Sequence, residues 1–375
     1  MANAKTTNIE VKKTNRNRIY RYIRKTEVTS NPDIAYDLKV SLPTVTQNTK
    51  EFIEKGLVQE TGKLQSTGGK RAAALSVVAD FKLALGLDIT RNHISLVLAD
   101  LRGTILKNDR MFLPFEQSGA YYQKVSSLLE EFVEKSEADR ERILGIGISI
   151  PGIVNLEKEE ITYSHALEIE AVPFAYISNF FSWPCFFLND ANAGAYAEGI
   201  CEESGERFFY LSLSSTVGGG LYDGADLVQG KEYRCGEAGH MTIVPDGKPC
   251  YCGKKGCLDA YCCATRLSEL ADGKLEQFFA RLAQGEPDMV KAWDTYTSYL
   301  AVALDNIRMI LDCDIVIGGY VGGYMENYMQ DVHRKVAERN IFEKRGSFVR
   351  PCVFKFEEAA LGAALRVIED YVAQI

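Results

Sequence analysis

Phe81-Lys82-Leu83-Ala84-Leu85-Gly86-Leu87-Asp88 opens the run on which the fold turns. It is apolar almost throughout and ends on a single carboxylate, the pattern of a strand buried on both faces. Residues 93–100 continue as a second strand, and 103–106 read as its hairpin partner. A helix is expected over 120–135, then an apolar strand over 143–150, which makes a β-β-β-α-β order. Further on, strands are expected at 208–214, 219–223 and 315–317. A long helix at about 296–311 precedes the last of these, and a closing helix at 359–373 should pack back on the first lobe.

This order is similar to the opening of the actin-like ATPase fold, in which two α/β lobes clasp a ligand. The expected architecture is therefore α/β, with an N-terminal winged helix-turn-helix followed by a two-lobed actin-like body. The expected units are 1–80 (DNA-binding head), 81–190 (first lobe, completed by 359–375) and 191–358 (second lobe).

The chain has 375 residues, 46% apolar and 25% charged, which fits a folded chain of two or three domains. No stretch approaches the roughly 20 apolar residues of a membrane helix. The first residues hold no apolar core for a signal peptide, so a cytoplasmic protein without a membrane partner is expected. Charge is uneven. Residues 1–80 hold 14 Lys and Arg against 8 Asp and Glu, while the remainder holds 29 against 43. A basic head on an acidic body points to a polyanion at the head alone.

Within the head, residues 14–25 form a basic amphipathic helix. Asn31 caps a second helix with Pro32 at its first position, and Ser41 caps a third over 42–55, stopped by Gly56. Three helices with a tight turn before the third make a helix-turn-helix. Val45, Phe52 and Ile53 face inward, which leaves Thr44, Gln47 and Lys50 outside. Gln47 can read an adenine edge, Thr44 a base or phosphate, and Lys50 a phosphate. A hairpin follows, with Lys70 and Arg71 at its glycine-rich tip, suited to a backbone or minor-groove contact. A small protein-binding module is the alternative for this shape; the basic excess and charged wing favour operator DNA.

All ten cysteines lie from Cys185 onward. Four residues, His240, Cys250, Cys252 and Cys257, follow the pattern His-x9-Cys-x-Cys-x4-Cys. One imidazole and three thiols match the ligand set of a closed structural zinc site. Cys262 and Cys263 are expected to be buried rather than coordinating.

Glu237-Ala238-Gly239-His240 and Cys250-Tyr251-Cys252-Gly253-Lys254-Lys255-Gly256-Cys257-Leu258-Asp259 together resemble the signature of the ROK family (repressors, open reading frames, kinases). Ile150-Pro151-Gly152, Asn189-Asp190-Ala191-Asn192-Ala193, Val217-Gly218-Gly219-Gly220 and Ile317-Gly318-Gly319 extend the likeness across the body, and the winged head is similar to the family's regulator branch. The resemblance implies a monosaccharide pocket at Asn189, Asp190, Glu237, His240 and Asp259. Asp259 departs from the family's usual Glu and is one methylene shorter. Asn189 and Asp190 also suit a helix cap, and His165 is a further candidate for the pocket wall. The resemblance makes xylose, glucose and N-acetylglucosamine candidate sugars and implies a homodimer or dimer of dimers.

Phosphoryl transfer requires a cradle of backbone amides for the nucleotide phosphates. The family's kinases carry Asp-x-Gly-Gly-Thr after the first strand; this chain reads Asp88-Ile89-Thr90-Arg91-Asn92-His93. The second loop, Thr-Gly-x-Gly-Gly-Gly in the family's kinases, reads Ser215-Thr216-Val217-Gly218-Gly219-Gly220, one glycine short. ATP binding is expected to be weak or absent, no catalytic residue is expected, and Asp190, the family's base position, becomes a hydroxyl acceptor. The expected function is a sugar-responsive regulator, most simply a repressor. The alternative is a ROK sugar kinase carrying a DNA-binding head.

Overall fold

The structure, a computed structural model, describes residues 8–64, 72–201, 205–355 and 357–375. The head is built from α1 (Asn8–Lys25), α2 (Asn31–Leu38), α3 (Leu42–Glu54) and an antiparallel pair, β1 (Val58–Lys63) and β2 (Ala73–Val77). The cap of α2 is Ser30, whose hydroxyl accepts the Asp33 N–H; Asn31, expected as the cap, is already helical. Serine and asparagine cap equally well, and Pro32, accommodated anywhere in a first turn, leaves both registers open. Ser41 caps α3 as expected, accepting the Thr44 N–H at 3.3 Å. Val45, Thr49 and Phe52 form the buried face, while Ile53 is only half-buried.

The first lobe carries β3 (Leu83–Ile89), β4 (His93–Asp100), β5 (Ile105–Phe112), α4 (Gly119–Glu134) and β6 (Ile143–Ile150). A short sheet of β7 (Ile153–Asn155), β8 (Glu160–Ser164) and β9 (Ile169–Pro173) follows, then α5 (Phe174–Ser178), β10 (Cys185–Asn189) and α6 (Asp190–Cys201). The main sheet runs β10-β6-β3-β4-β5, with β3 parallel to β6 and antiparallel to β4. The hairpin partner of β4 is longer than the 103–106 read from sequence. It runs to Phe112 because an exposed edge strand tolerates polar residues such as Lys107, Asn108, Asp109 and Arg110.

The second lobe holds β11 (Phe208–Leu213), β12 (Val217–Tyr222), α7 (Asp259–Cys262), α8 (Thr265–Ser268), α9 (Leu275–Ala283), α10 (Pro287–Leu311), β13 (Asp314–Gly318), α11 (Gly319–Gly322), α12 (Met329–Arg339) and β14 (Val349–Pro351). Its sheet runs β12-β11-β13-β14. Helix α10 starts at Pro287, well before residue 296. Met289 and Trp293 extend its apolar face by two turns, and proline fits its first turn.

The closing helix, α13 (Glu358–Val372), crosses back to the first lobe and packs on β3, β4, β6 and α6. The approach is backbone to backbone. A Cβ on Gly147 would sit 1.9 Å from the Ala363 carbonyl oxygen, and one on Gly362 would sit 1.8 Å from that of Ala193. The far end of α13 meets the head. Asn17 of α1 donates to the Val372 carbonyl at 2.5 Å, and Arg21 and Arg24 form ion pairs with Glu369. Ile19, Tyr20 and Ile23 of α1 belong to the same apolar cluster as Leu365 and Val372 of α13. Head and body thus share one core. No helix among the described residues is long and apolar enough to cross a membrane.

Candidate functional site

The ends of β3, β10 and β11 face each other across a cleft between the lobes, where open α/β sheets place their ligands. A cavity of about 200 Å³ there is lined by Asp88, Thr90, Arg110, Asp190, Thr216, Tyr320 and Glu358 among others. Asp190 is the first residue of α6, with its carboxylate at the cleft. Burial pushes it up to about 6; the Ala191 amide opposes this and the charge of Glu237 adds to it.

Asn189 does both jobs considered for it only in part. Its Oδ1 accepts the Asn192 N–H at 3.0 Å, which caps α6, and its amide donates to the Gly152 carbonyl and to Asp190 Oδ1, each at 2.9 Å. Both amide hydrogens are thereby engaged, so Asn189 offers a ligand only acceptor capacity. It lines a second cavity of about 360 Å³, with Asn192, Phe174 and Phe187.

His240, Cys250, Cys252 and Cys257 are brought together, their ligand atoms all within 4.8 Å of one another. Cys252 Sγ lies 3.7 Å from Cys257 Sγ, and Cys250 Sγ lies 3.9 Å from His240 Nδ1. Two thiolates on a tetrahedral zinc, at about 2.3 Å each, stand roughly 3.8 Å apart. The donor set and its spacing therefore fit zinc. The loop is held from within: Cys250 N–H bonds the Lys254 carbonyl, and a Cβ on Gly256 would sit 1.7 Å from the Val244 carbonyl oxygen. Cys262 and Cys263 are buried and apart from this group.

With Nδ1 turned to the thiols, His240 Nε2 faces outward. It lies 3.4 Å from the Tyr251 hydroxyl and 3.9 Å from Glu237 Oε2. Burial lowers the His240 imidazole, with Asp259 opposing, and burial raises Glu237, with Arg234 opposing. Asp259 is buried and accepts the Val217 N–H at 3.0 Å, so the shorter side chain is anchored to the start of β12. His165, on the β8–β9 connection of the first lobe, stacks on Tyr251 of the second at 4.2 Å between ring centres. Sequence reading did not single out Tyr251 as a site residue; it stands there only as the residue between two cysteines.

Some backbone amides at the edges of the two loops expected to be poor phosphate cradles have partners within the chain. Thr90 N–H donates to the His93 carbonyl at 2.9 Å, and His93 N–H donates to Thr90 Oγ1 at 3.1 Å. In the second loop, Ser214 N–H bonds the Thr216 carbonyl, and Asp259 takes the Val217 N–H. Glu358, another residue that sequence reading missed, lines the cleft from the start of α13.

In the head, Gln47 and Lys50 are exposed on α3. Lys50 Nζ is 3.8 Å from the Glu54 carboxylate, a pair so exposed that it leaves the ammonium free to exchange partners. Thr44 is half-buried, with its hydroxyl 2.8 Å from that of Ser41. Lys70 and Arg71 lie outside the described residues.

A winged helix-turn-helix joined to a two-lobed body, with a ligand cleft and a loop that gathers one histidine and three cysteines, defines the class. Residues 84–369 match the ROK family, and residues 13–59 match the winged helix-turn-helix DNA-binding family. The chain belongs to the ROK family, as its motifs led us to expect. It is 27% identical to the xylose repressor of Bacillus spizizenii (strain ATCC 23059 / NRRL B-14472 / W23), over 96% of this chain and 97% of that one. It is 25% identical to the DNA-binding transcriptional dual regulator NagC of Escherichia coli (strain K12), over 66% of this chain and 62% of that one. Among solved structures, a ROK family transcriptional regulator, homologous to the E. coli MLC protein, matches with a TM-score of 0.76 at 20% identity, over 97% of both chains. A ROK family glucokinase from Streptomyces griseus, in complex with glucose and AMPPNP, matches with a TM-score of 0.65 at 22% identity, covering 76% of this chain and 98% of that one. These two likenesses establish the fold.

Proposed function

We propose that this protein is a sugar-responsive transcriptional repressor that binds operator DNA through its winged head and answers to a monosaccharide in the interlobe cleft. The observation that carries the reading is the union of head and body, in which Arg24 of α1 is buried against Glu369 of α13, the helix that begins in the cleft. A head fixed in this way changes its position when the lobes move. Relatives named as repressors match this chain over nearly its full length, head included. A dimer, or a dimer of dimers, would set two heads on two half-sites, and sugar binding would shift their spacing. Such a protein works where the DNA is, in the cytoplasm.

Zn2+ would be held by His240 Nδ1 and the thiolates of Cys250, Cys252 and Cys257, and would lock the loop that presents Glu237 and the outer nitrogen of His240. Asp190, Glu237 and His240 would then accept or share hydrogen bonds with sugar hydroxyls, with Asn189 contributing its oxygen and Asp259 positioning β12. ATP is not part of this reading, because Thr90 and Arg91 in the first loop and Thr216 in the second stand where the family's kinases carry glycine. Thr44, Gln47 and Lys50, with Lys70 and Arg71 of the wing, are the proposed DNA contacts.

The test is a gel shift with DNA from upstream of the protein's own gene and a panel of xylose, glucose and N-acetylglucosamine. The repressor reading expects a retarded complex that one sugar dissolves. A protein that retards no such DNA with or without sugar is not this repressor. Asp190, placed at the cleft where the family's base would stand, favours a second reading as a sugar kinase. ADP release on addition of ATP and sugar, above background, would establish that reading instead.

A further inference from the structure

The floor of the interlobe cleft holds more carboxylate than hydroxyl recognition uses. Asp88 from β3, Asp190 from α6 and Glu358 from α13 line one cavity. Glu358 is 7% exposed and its Oε2 has no hydrogen-bond partner; Asp88 is 9% exposed and accepts Ser149 Oγ at 2.9 Å. A buried carboxylate oxygen without a donor is costly, and a ligand that brings one removes the cost.

Arg91 and Arg110 also line this cavity, and the charge of Arg110 acts on Asp88, but the guanidinium hydrogen bonds of both go to other groups. Arg110 donates to the Tyr320 hydroxyl at 3.2 Å and lies over that ring at 5.0 Å. Arg91 donates to the Ala166 carbonyl and pairs with Glu168 at 3.2 Å. Nor do the three carboxylates form a metal cage: among the described residues, only the group of His240 and its three cysteines gathers its ligand atoms closely enough. What fits is a cation larger than a bare ion, with several N–H donors spread over about one functional group. The hydroxyl-bearing residues Ser212, Ser215 and Thr216 on the remaining wall suit a polyhydroxylated ligand.

We propose that Asp88 and Glu358, beside Asp190, form a binding site for the ammonium group of an amino sugar. The proposal deepens the sugar-regulator reading and rests on it. Burial is the leading cause that pushes Asp88 up to about 7 and Glu358 up to about 8, and a bound ammonium would draw both down. A bound ammonium would also offset the cost of burying Glu358 at the start of α13.

The experiment is calorimetric titration of the full-length protein at pH 7. The probes are glucosamine, galactosamine and 6-amino-6-deoxyglucose, each against its parent hydroxyl sugar, with N-acetylglucosamine as the amide control. At least one amino sugar should bind about tenfold or more tightly than its parent, the range of a charge-assisted hydrogen bond. Glu358→Gln should bring that ratio close to one, and acetylating the amine should do so on the unaltered protein, a readout that does not depend on the variant folding. The proposal is overturned if no amine exceeds its parent, or if the ratio survives both changes. Neutral sugars that bind and dissolve the DNA complex, with no preference for amines, would overturn this inference alone. No binding by any sugar would overturn both. A preferred amine that leaves DNA binding untouched would uphold the site and overturn the repressor reading.

Discussion

Arg24 and Glu369 are buried against each other, with 8% and 6% of their side chains exposed, at the joint between the DNA head and the closing helix. Arg21 reaches the same carboxylate from the wet side. Removing one partner of a buried pair strands the other charge, at a cost on the order of 3–5 kcal/mol. Glu369→Ala should therefore loosen the head: unfolding should split into two transitions, and protease should cut between head and body. The double change Arg24→Met with Glu369→Leu should restore one transition, since an apolar pair of similar size removes the stranded charge. A single change that melts in one step at the unaltered temperature would show that the pair does not hold the joint.

The loop of His240, Cys250, Cys252 and Cys257 has little regular structure, and its order comes from short turns around four ligand atoms. Zinc binding in such loops is folding energy. Cys257→Ser should release about one zinc per chain, measured by elemental analysis, and lower the melting temperature. Cys262→Ser, outside the ligand group, should retain the metal. Equal zinc content in the two variants would dismiss the ligand assignment.

Some of this architecture could be read in advance and some could not. The strands around Asp88 and Ile150 announced themselves because both faces are buried and apolar patterning is unbroken. The group of His240, Cys250, Cys252 and Cys257 did so because metal coordination demands residue types at fixed spacing. Glu358 gave no signal: an acid at a helix start reads as a favourable dipole contact, and only the crossing of α13 into the cleft turns it into a floor. Arg24 and Glu369 lie 345 positions apart in a 375-residue chain, and each alone resembles any exposed helix charge. The β7–β9 sheet was missed because its strands are short and half-polar.

Glu358 also makes stability depend on pH. Its folded value, about 8, stands above the ordinary 4.5 through burial, with Asp88, Glu198 and Glu357 adding to the rise. The folded state then binds more protons than the unfolded state between those values, so stability falls as pH climbs through this window. Glu358→Gln removes that contribution. Its melting temperature relative to the unaltered protein should rise from pH 5 to pH 8 and level off above. A difference that stays flat across the range would mean that Glu358 titrates normally.

The contact between α6 and α13 leaves no room at Gly362, where a Cβ would meet a backbone oxygen rather than a side chain that can swing away. Gly362→Ala should destabilise the protein by about 3 kcal/mol or more, since neither helix can retreat without parting from the sheet. Because one of these helices begins at Asp190 and the other at Glu358, sugar affinity should fall as well. Urea titration measures the first effect and calorimetry the second. Normal stability would show that the two helices part freely.

The exposed face of α3 separates two kinds of DNA contact. Gln47, free of tertiary packing, should contribute at one base pair. Gln47→Ala should weaken operator binding by about 1–3 kcal/mol and relax the preference at that position. Lys50→Ala should weaken binding to every sequence alike and reduce the slope of log affinity against log salt by about one, the signature of one lost phosphate contact. Neither change touches the cleft, so sugar titration should be unaltered in both. Competition binding on a library of single-base operator variants, repeated at several salt concentrations, reads the two effects apart. If both variants lose affinity uniformly, with no position relaxed, α3 grips the backbone and the bases are read elsewhere.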